Sequence, residues 1–218
     1  MPTSTTDFAT ARRMMVDGQL RTYDITDQTL LAAILDVPRE RFVPAALTGI
    51  AYLDTDVPVG SARTRRMLKP MVFAKLVQAA AITDSDHVLD VGCATGYSAA
   101  VLAKLAGSVV AVESDAALAD EARRTLGEAA VVSGPLAEGC AVRGPYDVIV
   151  VEGAIEAVPP QLLRQLKEGG RLVAVVGDGP ASKATLYRQS GGEISARPIF
   201  DASGAMLPGF SRPAEFVF

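Results

Sequence analysis

The second half of the sequence alternates short apolar runs with segments of helical periodicity, and this alternation constrains the fold more than any other feature. Short continuous apolar runs are typical of strands buried on both faces of a parallel sheet. Strands are predicted at residues 88–91, 109–112, 146–151 and 172–176, with a weaker one at 130–132. Helices are predicted between them at residues 96–105, 116–126 and 160–166, the last closed by Gly169 and Gly170. Repeated strand-helix-strand units predict an α/β fold with a doubly wound, mostly parallel sheet.

The N-terminal third has apolar residues at helical spacing among charged ones. This pattern predicts helices at residues 7–20, 27–35 and 70–82, the last opening on Pro70, which suits a first helical position. Residues 51–69 combine turn formers and basic residues without a sustained period, which indicates a functional loop or an irregular connection. The apolar tail at residues 214–218 indicates an antiparallel strand at the C-terminal edge of the sheet.

Composition limits the classes of function. The 218 residues carry a formal charge of −4, so binding to nucleic acid is not expected on global electrostatic grounds. No apolar run approaches the roughly 18 residues of a membrane span. Residues 1–9 are polar and acidic, so we expect no export signal and a cytoplasmic protein. Two cysteines and one histidine predict neither a disulfide framework nor a metal site.

The strongest chemical signal is Val-Leu-Asp-Val-Gly-Cys-Ala-Thr-Gly-Tyr at residues 88–97, a predicted strand followed by a glycine-containing turn and a helix. In Rossmann-like folds such a turn brings backbone close to a ligand at the carboxyl end of the strand. The next predicted strand ends at Glu113, 21 residues after Gly92, where a carboxylate accepts hydrogen bonds from both ribose hydroxyls. These features together predict a crevice that binds a nucleoside.

A nicotinamide or flavin dinucleotide is the rival ligand for such a crevice. Its fingerprint has glycine at the first, third and sixth positions, where this sequence has Gly92, Ala94 and Tyr97. Asp90 adds an anion that would repel a pyrophosphate and attract a sulfonium or amino group. We therefore predict S-adenosyl-L-methionine as the cofactor and keep the dinucleotide as a distant alternative.

Several segments resemble the protein-L-isoaspartate O-methyltransferase family. They are residues 15–20, 37–44 (Val-Pro-Arg-Glu-Arg-Phe-Val-Pro), 51–54, 88–102, 144–150 and 159–173. The resemblance implies an S-adenosylmethionine-dependent O-methyltransferase of protein repair, with the carboxylate of an isoaspartyl protein or peptide as its partner, acting as a monomer or weak dimer. A carboxylate with a pKa near ~4 is ionised at neutral pH, so its attack on a sulfonium methyl group needs no general base.

The turn and the resemblance together assign the cofactor site. Gly92 to Gly96 are expected to line the methionyl part, Asp90 to shape the turn, and Glu113 to hold the ribose. Leu136 stands in Gly-Pro-Leu where the family has Gly-Asp-Gly, and Glu152 in Glu-Gly-Ala where it has Thr-Ala-Ala. The predicted cofactor-binding residues are Asp90, Gly92, Cys93, Ala94, Gly96, Glu113, Ser114, Leu136 and Glu152.

The acceptor loop differs from the family's Gln-Thr-Ile-Ser-Gln-Pro type. Residues 60–70 read Gly-Ser-Ala-Arg-Thr-Arg-Arg-Met-Leu-Lys-Pro. Matched back from the proline, Leu68 takes the place of the serine and Arg66 that of the threonine; matched forward from the glycine, Thr64 takes the place of the threonine. We predict Thr64 as the catalytic residue and Arg63, Arg66 and Leu68 as substrate-binding residues. The four cations of the loop, which include Arg65 and Lys69, suit an anionic acceptor or form an ordinary solvated loop.

These interpretations divide the chain into an N-terminal helical segment with a substrate-side loop, residues 1–69, and a cofactor-binding domain, residues 70–218, packed as one compact unit. Two alternatives for the function stay open. The first is a methyltransferase with a different anionic acceptor, a small molecule or a protein. The second is a non-catalytic relative that binds the cofactor or a partner through the same fold.

Overall fold

The computed structural model of the chain describes residues 7–61, 65–127 and 130–211. Its α-helices are α1 (Phe8–Met15), α2 (Gln28–Asp36), α3 (Pro70–Ala80), α4 (Tyr97–Leu102), α5 (Ala116–Leu126) and α6 (Pro160–Leu163). Its strands are β1 (Val57–Val59), β2 (Arg65–Met67), β3 (His87–Val91), β4 (Ser108–Glu113), β5 (Val131–Ser133), β6 (Tyr146–Ile155), β7 (Leu166–Val176), β8 (Lys183–Ser190) and β9 (Glu193–Asp201). None of the helices described is both long and apolar enough to cross a membrane.

Seven strands form one sheet in the order β5-β4-β3-β6-β7-β8-β9. The pairs from β5 to β7 are parallel, whereas β7 with β8 and β8 with β9 are antiparallel. The chain runs from β3 outward to β5 and then crosses to β6 on the other side of β3, so the strand order reverses between β3 and β6. Ligands of doubly wound sheets bind at the carboxyl ends beside such a reversal. The predicted Rossmann-like, mostly parallel fold is confirmed, as is its antiparallel C-terminal edge.

The strands that form this edge were not recognised in the sequence. β8 and β9 form a hairpin through Gly191 and Gly192, both with positive φ. β9 is solvent-exposed along most of its length, so it lacks the continuous apolar run that marks the buried parallel strands. The edge strand predicted at residues 214–218 lies outside the described residues.

The helix predicted at residues 160–166 is shorter than expected, and its two closing glycines lie inside β7. Helix α6 ends at Leu163 because the chain joins the sheet: the Gln165 carbonyl accepts a hydrogen bond from the Tyr146 amide at 2.8 Å. A Cβ atom at Gly170 would lie 2.8 Å from the Lys167 carbonyl oxygen. Glycine is therefore required here by close backbone approach within a bulged strand and not by a helix end.

Aspartate side chains fix the start of three helices. Asp27 accepts hydrogen bonds from the amides of Thr29 and Leu30 at the first turn of α2, and Asp7 and Asp115 cap α1 and α5 in the same way. The first helix ends earlier than predicted, because the chain continues from Met15 as a π-helical turn over Val16–Leu20.

Two apolar layers cover the sheet. On one face α3 packs on β6, β7 and β8, and the N-terminal helices pack on α3 and α4. Their buried residues share one hydrophobic cluster with inward-facing residues of the sheet, including Leu30 and Ile34 from α2, Phe73 from α3, and Val88 and Val150 from the sheet. The other face is covered by a second cluster that includes residues of α6 and of the segment after β9. The N-terminal segment is thus packed into the core beside the carboxyl ends of β3 and β6.

Candidate functional site

The turn after β3 bends sharply at the centre of the sheet. Gly92, Ala94 and Gly96 have φ angles of 83°, 51° and 95°, so three of its five residues are in the left-handed region. The amides of Gly92 and Cys93 donate to the Val112 carbonyl of β4, at 2.8 and 3.3 Å, which holds the turn against the neighbouring strand. The turn therefore presents its backbone at the carboxyl edge of the sheet.

Glu113 ends β4 directly beside this turn and is fully buried. Its Oε2 accepts hydrogen bonds from the Ala94 amide at 2.8 Å and from Arg65 Nη2 at 2.9 Å. Its Oε1 accepts from the amides of Ser114 and Asp115, at 2.8 and 3.1 Å, and from the Ser114 hydroxyl at 3.3 Å. The carboxylate thus ties the β3 turn, the start of α5 and the β1–β2 hairpin together.

Asp90 and Glu152 lie on the same face of neighbouring strands. Asp90 pairs with Val150 in the β3–β6 register, so Glu152 stands two residues further along β6. Asp90 Oδ2 accepts a hydrogen bond from the Ser98 hydroxyl at 2.6 Å, which anchors α4 to β3. Among the described residues, Asp90 Oδ1 and Glu152 Oε1 are buried without a hydrogen-bond partner.

Burial changes the protonation of both acids. It raises the pKa of Asp90 to about 7, with the Ser98 hydrogen bond opposing the shift and the Glu113 charge adding to it. Burial, and then the nearby Asp90 charge, raises the pKa of Glu152 well above its usual range. A ligand that brings positive charge would favour the ionised forms, because an opposite charge offsets the cost of burying an anion.

Residues 51–69 are more regular than the predicted loop or irregular connection. Val57–Val59 and Arg65–Met67 pair as an antiparallel hairpin, β1–β2, whose inward side carries Val57, Val59, Arg65 and Met67. This alternation sends Arg65 into the crevice, where Nη2 also lies 3.1 Å from the Gly92 carbonyl oxygen. Arg66, the next residue, is exposed and donates to the Asp56 carbonyl at 3.5 Å.

A second buried arginine supports the crevice from the N-terminal side. Arg39 is 1% exposed and lies 4.7 Å from the centroid of the Tyr97 ring. Its Nε donates to the Ala51 carbonyl at 2.9 Å and its Nη2 to the Leu68 carbonyl at 2.7 Å. Arg39 therefore links Ala51, in the segment before the hairpin, to Leu68, the residue that follows β2, and to Tyr97, the first residue of α4.

The segment after β9 closes the crevice at the end of β6. The Leu207 amide donates to the Ala154 carbonyl, and the Ala154 amide to the Ala205 carbonyl, both at 2.8 Å. The Leu207 side chain is so close to the strand that a Cβ atom at Gly153 would lie 2.7 Å from it, and one at Gly92 would lie 3.4 Å from it. Between the hairpin, Gly92 and Glu152 a cavity of about 10 Å³ is left, enough for about one water molecule.

The chemistry of the crevice suits the predicted cofactor. Two buried acids with unpartnered oxygens can take the ammonium and sulfonium charges of S-adenosylmethionine, and a carboxylate at the end of β4 can take its ribose hydroxyls. The crevice is closed to the cofactor in this conformation. Arg65 is hydrogen-bonded to the Glu113 carboxylate that would take the ribose, and the Leu207 side chain lies against Gly92. Binding of a nucleoside here would require the hairpin and the residue 205–207 segment to move.

The structure places the predicted cofactor residues in two groups. Asp90, Gly92, Cys93, Ala94, Glu113 and Glu152 meet around the crevice. Gly96 faces α5 instead, since a Cβ atom there would lie 3.1 Å from Leu126. Ser114 is exposed at the start of α5, and the Leu136 side chain is buried in the hydrophobic cluster of the opposite face. Burial raises the pKa of the Cys93 thiol well above its usual range, which keeps the thiol protonated.

The predicted acceptor residues are only partly brought together. Arg63 and Thr64 lie outside the described residues. Leu68 is buried and Arg66 is exposed, and both line the cavity. His87 is at the amino end of β3, away from the crevice, where its ring stacks on Tyr146. In the ranges that the structure describes, no group of three or more His, Cys, Asp or Glu side chains could hold a metal ion.

Sequence reasoning missed the roles of Arg65 and Arg39. Arg65 is one of the four cations of the loop, and the alternation of residues in Val-Pro-Val and Arg-Arg-Met is the signal that distinguishes it from the other three. Inward-facing Val57 and Val59 across the hairpin require an inward-facing Arg65. Arg39 lies in the segment 37–44 that resembles the family, and its burial depends on contacts with residues 51, 68 and 97 that no local pattern reveals.

A family model described as protein-L-isoaspartate(D-aspartate) O-methyltransferase matches residues 11–202 of the chain. A protein-L-isoaspartate O-methyltransferase of Koribacter versatilis (strain Ellin345) is 37% identical over 209 residues, covering 94% of this chain and 93% of the relative. A protein of the same name from Opitutus terrae is 42% identical over 171 residues, covering 76% and 72% respectively.

Solved structures are also similar over most of the chain. A protein-L-isoaspartate O-methyltransferase structure matches with a TM-score of 0.76 and 25% identity over 91% of this chain and 66% of that chain. A Plasmodium falciparum protein described as such an enzyme, in complex with S-adenosyl-L-homocysteine, matches with the same TM-score of 0.76 and 18% identity, covering 90% and 97%. The second similarity concerns the fold alone.

Proposed function

This chain belongs to the protein-L-isoaspartate(D-aspartate) O-methyltransferase family, and from that premise we propose that it transfers a methyl group from S-adenosyl-L-methionine to the carboxylate of isoaspartyl residues in proteins, as a repair enzyme. The observation that carries the proposal is the meeting of Asp90, Glu113 and Glu152 around the β3 turn, at the reversal of strand order. This arrangement offers anionic and acceptor groups to a cationic nucleoside.

The chemistry asks little of the protein's side chains. An isoaspartyl carboxylate has a pKa near ~4 and is ionised at neutral pH, so no general base is required. The bound cofactor supplies the electrophilic methyl group. Alignment of that group with the acceptor and exclusion of water are then the main tasks of the crevice.

Glu152 stands where a carboxylate acceptor would approach. An ionised glutamate there would repel the acceptor. Burial raises the pKa of Glu152 well above its usual range and so favours its neutral form in the closed crevice, whereas the positive charge of a bound cofactor would favour the ionised form. Pairing of Glu152 with the positive charge of the cofactor would offset its repulsion of a carboxylate acceptor.

The finer assignments belong to the same proposal. We assign the cofactor to Asp90, Glu113, Glu152 and the backbone of residues 92–94, and we keep Thr64, with Arg63, Arg66 and Leu68, on the acceptor side. The N-terminal segment, residues 1–69, supplies that side and the rest of the chain supplies the cofactor side. We also propose that the protein works in the cytoplasm as a monomer or weak dimer.

The test is methyl transfer from labelled S-adenosylmethionine to a synthetic isoaspartyl peptide, with the matching aspartyl peptide as control. Selective labelling of the isoaspartyl peptide is expected. Glu113→Ala should weaken cofactor binding at least tenfold, about 1.4 kcal/mol, in calorimetry on the same preparations. Labelling of proteins in a cell extract but not of the isoaspartyl peptide would move the function to a different acceptor, and cofactor binding without any transfer would indicate a non-catalytic relative.

A further inference from the structure

Arg65 is the cation that holds Glu113 in the closed crevice. The two side chains are 5% and 0% exposed, and their ion pair measures 2.9 Å from Nη2 to Oε2. The amide donors to Glu113 come from residues 94, 114 and 115, which belong to the turns that position it. Arg65 instead comes from β2, 48 residues away in sequence. Glu113 can therefore exchange Arg65 for another partner and still keep the hydrogen bonds from the backbone turns that position it.

A ribose that binds Glu113 must compete with this guanidinium. The hydroxyl hydrogens and the Arg65 donors seek the same carboxylate. Truncating Arg65 would remove that competition, so cofactor affinity should rise and not fall. The hairpin that carries Arg65 pairs over three residues on each side and is anchored in the core by the fully buried Val57 and Val59.

Once displaced, Arg65 needs another anion. A buried charge that loses its partner is strongly unfavourable, and Arg65 Nε is already without a hydrogen-bond partner among the residues described. Arginine offers paired donors that match the two oxygens of a carboxylate. The acceptor in the proposed reaction is a carboxylate that must reach this same crevice.

The other described arginines near the cavity are less suited to this role. Arg39 has its Nε and Nη2 engaged by the Ala51 and Leu68 carbonyls within the core. Arg66 points outward from the hairpin and is exposed. Arg65 alone among these three combines burial, a position on the short hairpin beside the β3 turn, and a partner that the cofactor also seeks.

We propose that Arg65 is a specificity-determining residue that exchanges partners: it pairs with Glu113 while the crevice is closed, and with the acceptor carboxylate when ribose hydroxyls hold Glu113. The inference rests on the proposed function, because it takes the acceptor to be a carboxylate. It makes cofactor binding a condition for acceptor binding, since the cofactor releases the cation that the acceptor needs.

The experiment is calorimetric titration of wild type, Arg65→Ala, Arg65→Lys and Arg188→Ala, first with S-adenosylhomocysteine and then, on the loaded protein, with the isoaspartyl peptide. Arg188 is exposed on β8 and serves as the matched control. Arg65→Ala is expected to bind S-adenosylhomocysteine about three- to tenfold more tightly and the peptide at least tenfold more weakly. Arg65→Lys should retain part of the peptide affinity because it keeps the charge, and Arg188→Ala should match wild type.

Weaker or unchanged S-adenosylhomocysteine binding by Arg65→Ala would overturn the exchange, as would unchanged peptide affinity. Thermal unfolding checks that the alanine variant is folded; if it is not, the lysine variant carries the comparison, because a mobile ammonium should compete less well for Glu113 than the paired guanidinium. The two proposals fail differently. If wild type labels the isoaspartyl peptide and Arg65→Ala has an unchanged KM for that peptide, the exchange of partners is wrong and the proposed function stands. If wild type labels no peptide while Arg65→Ala binds S-adenosylhomocysteine more tightly, the proposed function is wrong. The competition for Glu113 then stands, but the pairing of Arg65 with the acceptor carboxylate does not.

Discussion

At the scale of single residues, the crevice is a balance of buried charges. The charges of three buried acids, Asp90, Glu113 and Glu152, interact with those of two buried arginines, Arg39 and Arg65, beside a cavity that holds about one water molecule. Glu113 is satisfied by five donors, whereas Asp90 and Glu152 each keep a buried oxygen without a partner among the described residues. Buried acids with an unsatisfied oxygen destabilise the fold, so these two groups are best explained by a ligand that satisfies them.

Asp90 makes stability depend on pH in a direction that can be measured. Burial raises its pKa from the ordinary 3.8 to about 7, so the folded chain keeps a proton that the unfolded chain has lost. The contribution of protonated Asp90 to the free energy of unfolding is complete below pH 3.8, the ordinary pKa, and is lost as the pH rises to about 7, the pKa in the folded protein. Asp90→Asn should therefore gain stability relative to wild type between about pH 4 and pH 7, by about 2 to 4 kcal/mol, with no further gain above.

Urea unfolding of both proteins across this pH range checks the prediction. Asp84→Asn is the control, because Asp84 is exposed in the turn before β3. Parallel stability curves for wild type and Asp90→Asn would show that Asp90 is ionised in the folded protein throughout.

At the scale of elements, the glycine turn serves packing as well as binding. Gly92 lies under Arg65 and Leu207 in the crevice, whereas Gly96 begins α4 with a φ of 95° and faces Leu126 and Ala122 of α5. The second glycine thus allows α4 and α5 to approach each other. Gly92 is therefore the glycine that a ligand would contact, and Gly96 is the glycine that the packing of α4 on α5 requires.

Gly96→Ala is expected to cost about 1 to 3 kcal/mol of stability, because the new Cβ atom would lie 3.1 Å from Leu126 in a backbone conformation unfavourable to alanine. Gly18→Ala is the matched control: nothing lies within 4 Å of its Cβ position, and in a helical turn alanine should gain up to about 1 kcal/mol. Thermal unfolding of the two variants measures both effects. A Gly96→Ala protein as stable as wild type would mean that α4 and α5 can separate freely.

At the scale of the whole molecule, the N-terminal segment and the sheet share a core. Residues of α2 and α3 belong to the same hydrophobic cluster as those of β3, β6 and β7. Arg39 and the hairpin then extend this shared core to the edge of the crevice. Destabilising the N-terminal helices should therefore also destabilise the cofactor site, and the chain should unfold as one unit.

Leu30→Ala tests this coupling. Leu30 is fully buried in α2, so its truncation should cost about 2 to 5 kcal/mol and shift a single unfolding transition. Leu35→Ala on the same helix, at a residue that is 36% exposed, should cost less than about 1 kcal/mol. Far-ultraviolet circular dichroism and tyrosine fluorescence follow the transition, and two separate transitions in Leu30→Ala would show that the N-terminal segment unfolds independently.

The sequence alone determined the succession of the parallel strands and helices along the chain, the glycine turn and the position of Glu113 at the end of a strand. These features rest on local patterns: continuous apolar runs mark buried strands, aspartate side chains cap the starts of α1, α2 and α5, and the spacing after the glycine turn places a carboxylate at a strand end. Sequence patterns did not predict β9, because an exposed edge strand has no apolar run. They also did not predict the early end of α6, because the Gln165 carbonyl pairs with β6 across the sheet.

Only the tertiary structure decided which groups lie next to the buried charged residues. That Arg65 reaches Glu113, that Leu207 lies over Gly92, and that Asp90 and Glu152 share one face all depend on chain segments far apart in sequence. Their pKa values and pairings follow from burial and from distances across the sheet, which spacing along the chain does not contain. For this reason the sequence predicts the cofactor's location, whereas the closure of the crevice by Arg65 becomes visible only in the fold.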